Sequence, residues 1–157
     1  MSEEIGDWEA IDPRDLLPQK GAMALIRRIL AADLSDPEPW VRVEVVVGFE
    51  ALRSEFSPDH VLAPVGIEYV AQAGAVLGGL LSRKQGSGGP VRGGMIGAVR
   101  EVKLYGRAPK RGQVLHVVAR LLAGDEQMSS IQGEIYLAEE PQESGLLMTV
   151  RCSVVHQ

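Results

Sequence analysis

The hydrophobic pattern along the chain changes period twice. Trp40 to Val47 reads WVRVEVVV, with Arg42 and Glu44 on one face and Val41, Val43, Val45 and Val47 on the other. Such β-branched alternation predicts a strand with one buried face. SDPEP at 35–39 is turn chemistry. AMALIRRILAA at 22–32 fits helix or strand by period. Its place before that turn predicts a strand over 22–33, antiparallel to 40–47. From Pro64 to Leu81 the alternation gives way to PVGIEYVAQAGAVLGGLL, with no charge between Tyr69 and Ser82. A helix apolar all round belongs in a core. It is expected to end near Lys84, with Arg83 and Lys84 at the negative end of its dipole. Alternation then returns in four segments, 94–106, 113–123, 128–138 and 146–155, separated by the turn-forming APKRG, GDEQ and EEPQESG. Two strands, one buried helix and four strands indicate an α+β domain, an antiparallel sheet with the helix on one face.

The rest of the chain fits around this frame. Its 157 residues suffice for a single domain, 1–157, with 1–11 expected as a loose arm. DPRDLLP at 12–18 predicts one helical turn capped by Asp12, with Pro13 at its first position. Residues 48–63 form a long connection containing His60, and QGSGGP at 85–90 a flexible loop. The apolar fraction of 45% and charged fraction of 24% are those of a soluble globular protein. Glu68, Gln72 and many small residues interrupt the apolar helix, so no membrane span is expected. The acidic start lacks a basic n-region and an apolar h-region. One cysteine excludes an internal disulfide framework and fits a reducing cytoplasm. A net charge of −5 argues against broad nucleic-acid binding.

Within this frame Glu68 stands out as the lone carboxylate at the head of an apolar helix. Gln72, about one turn on, shares its face. Such a carboxylate is costly unless it is paired, hydrogen-bonded or used. It is either a group held by the free N–H groups and positive dipole of the helix start, or a general acid/base in an apolar pocket. Gln72 either orients it or satisfies a buried polar position. His60 precedes the helix in a loop, where function often sits. His116 alternates within a strand, His156 is terminal and expected to fray, and Cys152 reads as a small core hydrophobe. Three scattered His and one Cys give no metal-ligand spacing, and no cofactor is expected. GSGGPVRGG lacks the Lys-Ser/Thr pair of a phosphate loop. Arg83, Lys84, Arg92, Lys103, Arg107, Lys110 and Arg111 form a basic set, either a solvated rim or a landing site for an acidic carrier or its phosphates. The small residues Ala71, Gly74, Ala75, Gly78 and Gly79 permit close packing or room for an acyl chain.

Three stretches in order resemble the acyl-carrier-protein dehydratases of the hotdog fold. LLPQKGAMALIRRIL at 16–30 resembles an opening LLPH-x-x-PM pattern. GIEYVAQAGAVLGG at 66–79 is similar to the E-x-x-AQ central helix, and GMIGAVREVKLYGRAPKRGQVL at 94–115 to a glycine strand, basic-proline turn and following strand. The nearest branch is the dehydratase-like proteins of aryl-polyene-type pathways. The resemblance implies a hotdog fold, a sheet wrapped around one central helix. It also implies elimination of water from 3-hydroxyacyl thioesters to trans-2-enoyl products. In that chemistry a histidine removes the α-proton and a helix carboxylate protonates the departing hydroxyl. The carboxylate carries over to Glu68 and the glutamine to Gln72. Pro64, Val65 and Gly66 carry over to the helix head whose N–H groups polarise the carbonyl, and Gly97 to the glycine strand. The histidine does not carry over. Counting back reaches Ser54, the LPH histidine is Gln19, and His60 is the remaining base. The implied partners are an acyl carrier protein or coenzyme A thioester and a second hotdog subunit, identical or different, with the pocket between subunits. A non-catalytic subunit binding an acyl group or carrier, and a thioesterase using Glu68, are the alternatives.

Overall fold

A computed structural model of the chain describes residues 7–19, 21–48, 63–86, 94–105, 109–140 and 144–156. His60, Arg92 and Arg107 lie outside the described residues. The elements are β1 (Ile26–Asp33), β2 (Trp40–Val46), α1 (Ala63–Lys84), β3 (Gly94–Leu104), β4 (Val114–Gly124), β5 (Met128–Leu137) and β6 (Leu146–His156). The six strands form one sheet in the order β1-β2-β4-β5-β6-β3, and every neighbouring pair is antiparallel. Two strands, one helix and four strands along the chain is the order predicted from the hydrophobic pattern.

Strand register explains why the alternation was legible. Val43 lies opposite Val117, Val117 opposite Ile135, and Ile135 opposite Met148. One row over, Val41, Ala119, Gly133 and Val150 align in the same way. These rows are buried against α1, whose Tyr69, Val70, Ala73, Val76, Leu77 and Leu80 complete the core. The stretch Val65–Lys84 is long and apolar enough to cross a membrane by length and composition, yet half of it is buried inside the protein. It is the core helix around which the sheet curls.

Glycines set how closely helix and sheet approach. A Cβ on Gly133 would run into the methyl groups of Val70, so this position admits no side chain without movement. A Cβ on Gly74 would meet Ile131 Cδ1 at 2.5 Å, and one on Gly79 would meet Leu16 Cδ2 at 2.9 Å. These two small residues therefore serve close packing. Gly78, by contrast, is exposed and faces open space.

Segment 22–25 departs from the expected strand. A 3-10 turn occupies Gly21–Met23, and β1 starts only at Ile26. The backbone at 23 and 25 is bonded to a helix side chain instead of to β2. The Asp12 cap is as expected: its carboxylate accepts from Arg14 N at 2.9 Å, with Pro13 opening the turn. Trp8 and Ile11, in the stretch expected as a loose arm, pack against the core. His156 is not frayed. It pairs opposite Gly94 in β3, and its Nε2 lies 2.7 Å from Ser129 Oγ.

On the outer face of the sheet, Glu44 of β2 is buried beside two arginines. Arg28 Nη2 lies 2.8 Å and Arg27 Nε 3.8 Å from its carboxylate. His116 sits opposite Glu44 and is half-buried. Burial, reinforced by the nearby charge of Arg42, holds its pKa below the usual histidine range. It is a structural group of the outer face. Cys152 is fully buried, and desolvation pushes its thiol up, away from the reactive thiolate.

A candidate active site at the head of the central helix

Helix α1 runs from Ala63, which places Val65 and Gly66 in its first turn, at the positive end of the helix dipole. Pro64 lies in the same turn and suits it, since proline has no N–H to lose. Gly66 is buried against the sheet. A Cβ there would collide with the Met148 thioether and meet Ile135 Cδ1 at 3.2 Å. The glycine lets the helix head sit down on β5 and β6.

Glu68 lies one turn further in and is half-buried. It is not a cap on the helix start. Its Oε1 instead accepts from two side-chain amides, Gln72 Nε2 at 3.0 Å and Gln19 Nε2 at 3.4 Å. Oε2 has no hydrogen-bond partner among the described residues. One carboxylate oxygen is thus fixed, and the other is available.

Gln72 is fully buried and has every polar atom matched. Its Nε2 donates to Met23 O at 2.8 Å and to Glu68, and its Oε1 accepts from Leu25 N at 2.9 Å. Reversing the amide would set its oxygen against a carbonyl and its NH2 against an N–H, so its orientation is determined. Both readings of Gln72 hold together: it orients Glu68 and satisfies a buried polar site. It also pulls segment 23–25 out of the sheet and onto the helix.

Gln19 is the residue that sequence reasoning undervalued. In the sequence it stands where the opening LLPH-x-x-PM pattern has a histidine. The structure brings it across 49 positions of chain to Glu68. Leu16 and Leu17, buried at 2% and 0% exposure, anchor the segment that delivers it. The signal available in the sequence was the LLPQ pattern itself, two apolar anchors ahead of a polar residue.

The remaining expected positions separate in space. Arg83 is fifteen residues beyond Glu68, about 22 Å along the helix axis. Lys84 Nζ donates to Leu34 O at 3.3 Å, at that far end. Lys103 adjoins Leu104, which pairs with Met148 near the helix head, and its Nζ is 3.6 Å from Glu101. Lys110 and Arg111 lie in the turn before β4, where Gly112 N bonds Val47 O. The described members of the expected basic set thus form two groups, Arg83 with Lys84 at the far end, and Lys103, Lys110 and Arg111 on the side of Glu68. Gly97 sits beside Ser153 and Val155, on the half of exposed β3 remote from Glu68 of the same chain. Among the described residues, no three His, Cys, Asp or Glu side chains come together as a metal site.

One long helix wrapped by a six-stranded antiparallel sheet, with a carboxylate near the helix head, defines the hotdog class. The match of a family model to residues 11–157 goes further: the chain belongs to the ApeP-like family, described as ApeP dehydratase. Among solved structures it resembles a chain of the dehydratase heterocomplex ApeI:P from Xenorhabdus doucetiae. The TM-score is 0.73 at 25% identity, over 94% of this chain and 91% of that one. It shares its fold with the PaaI protein of the phenylacetic acid degradation operon of E. coli, at TM-score 0.56 and 16% identity, over 87% and 85% of the two chains. A hypothetical thioesterase with coenzyme A from Streptococcus pneumoniae aligns at TM-score 0.53 and 12% identity, over 75% and 78%. No curated protein matches the chain. The sequence-based resemblance and the hotdog expectation therefore hold, and the chain is a dehydratase-like hotdog protein of acyl-thioester metabolism.

Proposed function

We propose that the chain eliminates water from 3-hydroxyacyl thioesters, with Glu68 as the acid that protonates the departing hydroxyl. The observation that carries this is the state of the Glu68 carboxylate. It is half-buried, with Oε1 fixed by two amides and Oε2 left to face a ligand. The peptide N–H groups at Val65 and Gly66, at the helix head, are the donors proposed for the thioester carbonyl, where negative charge develops as the α-proton leaves. His60 is the base assigned to that proton. The Cα–H electrons form the double bond, the C–O bond breaks, and the hydroxyl takes the Glu68 proton to leave as water. The product is the trans-2-enoyl thioester.

In this reading the acyl group arrives on an acyl carrier protein or on coenzyme A, in the cytoplasm. Lys103, Lys110 and Arg111, with Arg107 between them in sequence, are the cations proposed to meet its phosphates. The pocket is completed by a second hotdog subunit, identical or different, and Gly97 of β3 then belongs to the shared edge. A second reading is supported by Ser54 and Gln19 standing where the family pattern has histidines: a subunit that binds the acyl carrier and supports a catalytic partner.

Incubation with 3-hydroxyacyl and acyl thioesters, on carrier protein and on coenzyme A, separates these readings. Loss of water is expected, and Glu68→Gln is expected to lower its rate by at least about a hundredfold. Carrier binding without turnover supports the second reading, whereas release of free thiol identifies a thioesterase. An unchanged rate in Glu68→Gln removes Glu68 from the chemistry.

A further inference from the structure

Beside Glu68 one polar atom is buried without a partner. Gln19 Oε1 is shielded from solvent and accepts no hydrogen bond among the described residues. Nε2 of the same amide lies 3.4 Å from Glu68 Oε1. The orientation of this amide is set by the carboxylate. Turned over, Gln19 would press its oxygen against Glu68 Oε1, which already accepts from Gln72 Nε2 at 3.0 Å. The oxygen is thus held beside the acid as an acceptor lacking a donor. A buried acceptor without a donor is costly, and native structures retain few of them.

Resting on the dehydratase reading above, the donor can be named by chemistry. A 3-hydroxyl carries one hydrogen and two lone pairs. It can donate that hydrogen to Gln19 Oε1 while a lone pair faces the proton on Glu68. Saturated and enoyl chains have no such hydrogen. We infer that Gln19 recognises the hydroxyl of a 3-hydroxyacyl group by accepting its hydrogen. No bond to Gln19 forms or breaks. The water that departs carries its original hydrogen and one from Glu68. Because an amide does not titrate, Gln19 remains an acceptor at every working pH and does not compete for the Glu68 proton. A site built to pair with a hydroxyl rejects the ligand that lacks it, since its own polar group is then left unpaired.

The test compares two ligands that differ by this hydroxyl alone. The N-acetylcysteamine thioesters of 3-hydroxyoctanoic and octanoic acid carry the same thioester and the same amide. Calorimetric titration of the full chain, in its assembled state, is expected to show tighter binding of the hydroxylated ligand. Gln19→Met keeps the length of the side chain and removes the strong acceptor. It is expected to reduce that preference about tenfold, with little change for the octanoyl thioester. Gln19→Asn, one methylene shorter, withdraws the oxygen and gives the same loss should the methionine variant fold poorly. Gln19→His is expected to restore much of the preference, because a neutral imidazole offers one donor and one acceptor. The inference is overturned if Gln19→Met retains the preference. Equal weakening of both ligands overturns it too, since the oxygen then serves the shared amide or a water. Wild-type protein that binds both equally removes this inference alone. Wild-type protein that binds neither removes the acyl-thioester reading with it.

Discussion

The side-chain amide of Gln72 bonds three groups: Glu68 on its own helix, and Met23 O and Leu25 N on the segment before β1. The five atoms that meet there have a single best arrangement. Gln72→Met would fill the same space and leave the Met23 carbonyl and the Leu25 N–H without their partner. A buried group so stranded costs about 1–3 kcal/mol, and one that water can reach costs less. A stability loss in that range is expected in urea unfolding, with an unchanged m-value because the exposed surface on unfolding is the same. The variant is also expected to lose turnover more than its remaining folded fraction explains, since Glu68 keeps only the longer bond to Gln19. The E-x-x-AQ spacing made the Glu68–Gln72 contact legible in sequence, because residues four apart share a helix face. The contacts of Gln72 to 23 and 25, and that of Gln19 to Glu68, span more than forty positions, and no local period reports them.

At the scale of elements, α1 approaches the sheet closely at Gly133, where a Cβ would strike Val70. Valine is stiff about χ1 and cannot swing aside. Gly133→Ala is therefore expected to destabilise the fold by about 1–3 kcal/mol through overpacking. Gly78→Ala, in an exposed part of the same helix with open space around it, is expected to stabilise by up to about 1 kcal/mol. Thermal unfolding of the two variants measures both signs. Equal effects would contradict the close approach at β5. The strands were legible because each buries one face. The ambiguous 22–33 resolved as a shorter strand, Ile26–Asp33, since a helix side chain captures the backbone before it.

At the scale of the whole molecule, the sheet has an apolar edge at β3. β3 closes the sheet order, and Met95, Val99, Leu104 and Tyr105 on and just beyond it are exposed at 59%, 43%, 64% and 45%. A long apolar edge is normally covered. In the proposed assembly a second hotdog subunit covers it. Light scattering at micromolar concentration is expected to give a particle of two subunits, either of this chain or with a related dehydratase subunit. Met95→Lys with Val99→Lys is expected to shift it toward the monomer, because charge on the edge opposes pairing. A wild-type chain that stays monomeric both alone and with such a subunit would contradict the shared pocket.

Period and spacing alone determined the strand order along the chain, the buried helix, the Asp12 cap and the helix-face pairing of Glu68 with Gln72. Each of these depends on residues close in sequence, where backbone geometry converts spacing directly into direction. The tertiary structure decided the rest. It divided the described members of the expected basic set between the two ends of a helix about 33 Å long by its rise per residue. It assigned Gly74 and Gly79 to packing, and it placed Gln19 on the carboxylate. Packing, not period, brings distant segments together, and the meaning of Gln19 depends on what it touches.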